Sequence, residues 1–178
     1  MHGKTVVKGN KMPHNHNQRD DLTGEHKIGD IGQLVIVLLF AAIWIADTFF
    51  LSYTTYLNQY IHLAIRIPCG VVVLIIAGYM AKKSTSIVFG EKRETPAVIR
   101  KGVFNIIRHP MYLSEILLYL GLLIMSMSLA ALGVLVIAIG FLYYICRYEE
   151  RLLVGRFGED YKKYMQEVPM WFPRLWKK

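Results

Sequence analysis

The sequence predicts an all-α, polytopic membrane helix bundle, and three observations carry that reading. Apolar blocks long enough to cross a bilayer recur along the chain, basic residues fall between those blocks, and only 19% of residues are charged against 54% hydrophobic. The excess of 21 Lys and Arg over 13 Asp and Glu sits in the connecting segments. It therefore reads as membrane topology, and a nucleic-acid-binding role, which needs a basic face on a folded domain, is excluded. Cys69 and Cys146 both lie inside apolar blocks, which excludes a secreted disulfide framework.

Residues 1–30 mix Gly, Asn, Pro and His with charges and read as a solvated N-terminal tail ahead of a membrane domain at 31–178. Its histidines, His2, His14, His16 and His26, have no ligand spacing, so no metal is predicted. The apolar block that follows is long enough to be a span rather than a cleaved signal, so the N-terminus is expected to be retained.

Ile31 to Tyr53 carries only Asp47 as a charge and is the first span. Tyr60 to Ala81, with Arg66 and Pro68 inside it, is the second and ends at Lys82-Lys83. Ser84 to Arg108 is a cationic connection. From Pro110 to Cys146 the sole charge is Glu115, a stretch of 37 residues that one helix cannot use. Charge placement decides how it folds: five Lys and Arg precede Ile31, seven lie between Lys82 and Arg108, and eight follow from Arg147 onward. A tight hairpin turning near Met125-Ser126-Met127-Ser128 puts all three clusters on one side, which the positive-inside rule assigns to the cytosol. The expectation is four transmembrane helices, the last two as short arms of about 15 to 18 residues, with both termini cytosolic.

After Cys146, Phe157, Tyr161, Tyr164, Met165 and Val168 recur at helical spacing among charged residues. They predict a C-terminal interfacial helix, followed by a Trp- and cation-rich run from Pro169 to Lys178 at headgroup level.

Asp47, Arg66 and Glu115 are the charges within or beside the apolar blocks, and intramembrane charge is by default a functional lead. Arg66 is close enough to the outer end to snorkel, and a structural Asp47–Arg66 contact is open. Hairpin closure has a further consequence. It brings Arg108-His109-Pro110-Met111-Tyr112 beside Arg147, Glu149 and Glu150 at the cytosolic mouth. Such a cluster offers guanidinium for an anion, imidazole for a proton, and carboxylate for a hydroxyl or cation. Helix-spaced ion pairing among Arg147, Glu150 and Arg151 is the alternative.

The run Gly102-x-Phe104-x-x-x-Arg108-His109-Pro110-x-Tyr112, an apolar stretch, then Glu149-Glu150-x-Leu152 and Phe157-Gly158-x-x-Tyr161-x-x-Tyr164-x-x-x-Val168-Pro169, resembles the isoprenylcysteine carboxyl methyltransferase family. Phospholipid N-methyltransferases resemble that family too. The resemblance covers about Val98 to Pro173 and implies an integral membrane enzyme using S-adenosylmethionine. No Gly-rich dinucleotide fingerprint is present to suggest a soluble nucleotide fold.

Residue by residue, the resemblance implies a cofactor pocket of Val98, Ile99, Phe104, His109, Pro110, Met111, Tyr112 and Glu149. For a carboxylate acceptor, Arg108 or Arg147 is the expected catalytic-site cation that orients it. Phe104 stands where the family carries Tyr, and Ile145 stands where prenylcysteine-methylating members carry the Arg that holds the substrate carboxylate. Arg147 points about 200° around a helix from that position.

The expected reaction is methyl transfer to a lipophilic acceptor entering from the bilayer, foremost a carboxylate of isoprenylcysteine type. Phospholipid N-methylation, on a phosphatidylethanolamine headgroup, is the enzymatic alternative and requires a base, His109 or Glu150. A non-catalytic membrane or transporter subunit is the alternative of another class. The only partners expected are the acceptor and membrane lipids.

Overall fold

The structure, a computed structural model, describes residues 27–90 and 97–172. Every regular element among them is helical, because hydrocarbon leaves no partner for an unpaired backbone group and a helix satisfies its own. Helix α1 spans Lys27–Ile45 and continues as a π-helical stretch, Ala46–Leu51. Helix α2 is Leu63–Gly90, α3 is Pro110–Ser126, α4 is Leu129–Phe157 and α5 is Glu159–Glu167.

Ile31–Leu51, α2 and α4 are each long and apolar enough to cross a membrane, at 21, 28 and 29 residues. The 17 residues of α3 form a shorter apolar helix. The helices outrun the apolar blocks that predict them. The first begins by Lys27, four residues before Ile31, α2 passes Lys82-Lys83 to Gly90, and α4 runs eleven residues past Cys146. Hydropathy marks where a span leaves hydrocarbon, whereas the helix persists while its residues favour it, as Tyr148-Glu149-Glu150-Arg151-Leu152-Leu153 do. The expected connection from Ser84 is thus helical as far as Gly90. Its residues 91–96, the tail with its four histidines up to His26, and the end of the Trp-rich run from 173 lie outside the described residues.

Helix α2 packs on α3 through a close backbone approach. A Cβ on Gly70 would stand 2.9 Å from the carbonyl oxygen of Gly121, and one on Gly121 would stand 2.7 Å from a Leu74 methyl. Helix α1 lies against α3 and α4. Phe40 stacks on Tyr119 with ring centroids 4.4 Å apart, and Trp44 Nε1 donates to Ser126 Oγ at 3.0 Å. Gln33 of α1 and Tyr119 both donate to Glu115, so this intramembrane carboxylate is buried among neutral donors.

Met127 and Ser128 alone separate α3 from α4. Met127 takes the left-handed conformation that closes α3, and Ser128 caps α4 by accepting from the Ala131 amide at 3.1 Å. Asp47 anchors this corner: Ser128 Oγ and Thr54 Oγ1 donate to it at 2.5 Å each, and the Thr54 amide donates at 3.1 Å. Asp47 and Arg66 do not meet. Arg66 is buried rather than snorkelling, donating to the last carbonyls of α3 at Met125 O (3.0 Å) and to Asn58. Both charges serve helix ends that the sequence alone leaves without partners.

Candidate active site

The site forms where the segment entering α3 meets the second half of α4 and the chain after α5. Pro110 opens α3, where its missing N–H costs nothing, and it holds the preceding His109 out of the helical region at φ −120° and ψ 64°. Arg108 and His109 therefore stay outside the helix, Arg108 at a bend in the chain. Their amides donate to the carbonyls of Pro169 (2.9 Å) and Met170 (3.2 Å), so the chain beyond α5 runs across the entrance to α3.

Arg108 locks this arrangement. Its Nη2 and Nε lie 2.7 and 2.9 Å from Glu150 Oε1, and its Nη1 donates to the carbonyls of Met165 and Val168 at 2.6 Å each. The side chains of Arg108 and Glu150 are 8% and 2% exposed, so their charges are compensated away from water. Arg147, one turn earlier on α4, donates to Glu150 Oε2 at 3.1 Å with its side chain 54% exposed. Glu150 is thus the hub of the cluster. Sequence spacing finds its pairing with Arg147, while the buried pairing with Arg108, 42 positions away, needs the fold.

His109 lies between two carboxylates. Its Nδ1 is 3.7 Å from Glu149 Oε2, and its Nε2 is 3.4 Å from Glu150 Oε1, buried and without the alignment of a hydrogen bond. Burial holds His109 below the ordinary imidazole range; Glu150 opposes the shift and Arg108 adds to it. Tyr112 donates its hydroxyl to Glu149 Oε1, and the His109 and Tyr112 rings are 5.9 Å apart. Glu149 remains 17% exposed, and Met111, next to Tyr112 in sequence at the start of α3, is exposed.

The remaining expected residues form a second layer. Gly102, at φ +56°, starts a single turn through Asn105, and a Cβ there would come 2.8 Å from Ile87. The turn buries Phe104, whose carbonyl accepts the Tyr164 hydroxyl at 2.6 Å. Val98 packs on Tyr161, Tyr164 and Val168, and Ile99 is half-buried. Burial raises both tyrosines, Tyr164 to about 12, so each stays a neutral hydroxyl. Arg108, His109, Pro110, Tyr112, Arg147 and Glu149 therefore meet in one cluster. Val98 and Phe104 join it through α5 and Tyr164, a packing role that the helical spacing of the tyrosines only hints at.

Residues 60–160, more than half of the chain, match the phospholipid methyltransferase family. The chain belongs to the phospholipid methyltransferase family. The match takes in α2, α3, α4 and the whole charged cluster, and three of the helices are long and apolar enough to cross a membrane, as in an integral membrane protein. The cobalt-zinc-cadmium resistance protein CzcN of Cupriavidus metallidurans is 36% identical over 84 residues, 47% of this chain and 38% of that protein. This family member thus spans well under half the length of that relative. No solved structure matches it. Among its described residues, no group of three or more His, Cys, Asp or Glu could hold a metal ion.

Proposed function

We propose that this protein transfers a methyl group from S-adenosylmethionine to the amine headgroup of a membrane lipid, at the cytosolic mouth of a four-span bundle whose last two helices are a hairpin. The observation that carries the choice of acceptor is the state of Arg108. Each of its three nitrogens already faces Glu150 or a backbone carbonyl, so it is committed to the fold and not to an acceptor carboxylate. Ile145, in the position where a carboxylate-binding Arg is expected, is buried and apolar.

The donor set fits S-adenosylmethionine. Glu149 and Tyr112 supply a partly exposed carboxylate and a ring for a cation with ribose hydroxyls, and His109 brings a buried Nε2 with no aligned partner. Pro110 and Met111 begin the helix beside them, while Val98, Ile99 and Phe104 back the pocket through α5. When bound, the cofactor supplies an electrophilic methyl on a sulfonium. The protein's own contribution is to align the two reactants and exclude water, which strengthens every charge interaction inside. An ammonium acceptor must lose its proton before it attacks, and His109 and Glu149 are the proton-accepting groups nearest that mouth.

Carboxyl methylation of an isoprenylcysteine-like acceptor is the second reading, favoured by Arg147. Its guanidinium spends only Nη1 on Glu150 and is half exposed, which suits it to hold a carboxylate from the bilayer side. Methyl transfer measured with phosphatidylethanolamine and with farnesylcysteine, in vesicles carrying the protein, separates the two. Turnover of the amine lipid alone is expected; turnover of farnesylcysteine alone overturns the choice of acceptor.

A further inference from the structure

His109 is placed where a proton changes the charge seen by both neighbouring carboxylates. On α4, Glu149 faces its Nδ1 at 3.7 Å and Glu150 faces its Nε2 at 3.4 Å, the latter also bound by Arg108 and by Arg147. Its own segment adds Arg108 and Tyr112, and among the described residues after α5 the Met170 carbonyl accepts the His109 amide. Tyr161 and Tyr164 on α5 stay neutral.

Both carboxylates are acceptors only, so a neutral imidazole satisfies one side and leaves a lone pair toward the other, whereas imidazolium suits both. Burial and Arg108 act against that charge. The group is therefore held by opposing forces, and a third charge arriving at Glu149 tips the balance. A ligand cation at Glu149 and a proton on His109 exclude one another, since each takes the same carboxylate as its partner.

We propose that His109 sets the charge selectivity of the cofactor pocket: as a neutral imidazole it leaves Glu149 to favour the sulfonium cofactor over its neutral thioether product, and as imidazolium it cancels that preference. Product release is then built into the charge of the site, because transfer of the methyl removes the positive charge that Glu149 holds. In this selectivity His109 acts as a positioning residue for charge, apart from any part it takes in accepting the acceptor's proton. The inference rests on the reading of Glu149 as the cofactor carboxylate.

The test is the ratio of dissociation constants for S-adenosylhomocysteine and S-adenosylmethionine, measured calorimetrically on the full chain in detergent from about pH 7, below the titration of the ligands' amino groups, down to the lowest pH at which the protein still melts cooperatively. The ratio is expected to fall roughly tenfold in the wild type as His109 takes up its proton, the order of effect that one nearby unit charge has on another in a partly buried site. In His109→Gln it is expected to stay flat. A flat ratio in the wild type overturns the inference without needing the variant, and so does a tenfold fall that persists in His109→Gln. Absence of S-adenosylmethionine binding at every pH instead removes the functional reading, and the inference with it.

Discussion

Arg108 and Arg147 both touch Glu150, yet their burial separates what their loss costs. Arg108→Ala leaves a 2% exposed carboxylate without its principal partner and two backbone carbonyls without a donor. A loss of about 3–5 kcal/mol is expected, read as a lowered unfolding temperature in detergent. Arg147→Ala removes a half-exposed i,i+3 pair and is expected to cost less than about 1 kcal/mol. His109 gives a pH signature. Because the folded chain favours the neutral imidazole, the unfolded chain binds more protons below the ordinary value of 6.5. Stability therefore rises with pH through the window beneath 6.5 and is lost as pH falls through it, a slope that His109→Gln should flatten in thermal melts. These residue types and their order are visible in the sequence. The buried pairing of Arg108 with Glu150 is not, since 42 positions separate them and only the fold places Arg108 against it.

At the level of elements, the α2–α3 contact depends on two glycines that hydropathy does not single out. Gly121→Ala places a methyl 2.7 Å from Leu74 and 3.2 Å from the Gly70 carbonyl, so the helices must part. A loss of about 1–3 kcal/mol is expected. Gly133→Ala on α4 has nothing within 4 Å of the added atom and is expected to be neutral or to stabilise by up to about 1 kcal/mol. Comparing the melting of the two variants checks the packing. The sequence reveals the apolar blocks because burying charge in hydrocarbon is costly. It misplaces helix ends, at Lys27, Gly90 and Phe157, because leaving the membrane does not end a helix. The corner at Met127-Ser128 is foreseeable from the length of the apolar block and the placement of cations, whereas its tether to Asp47, 81 positions earlier, is a tertiary contact.

For the whole molecule, the fold converts distance along the chain into a single mouth: Arg108 and His109 before α3, Arg147 to Glu150 late in α4, and the strap from Met165 to Met170 converge there. The residues that match the phospholipid methyltransferase family, 60–160, include Arg108, His109 and Arg147 to Glu150 of that convergence. The central claim is that this mouth binds S-adenosylmethionine through Glu149. Calorimetric titration of S-adenosylmethionine into the purified wild type and Glu149→Ala tests it most directly. Saturable binding by the wild type, with affinity lowered at least tenfold in a variant that still inserts and melts cooperatively, is the predicted result. Absent binding in the wild type, or equal affinity in Glu149→Ala, contradicts the account.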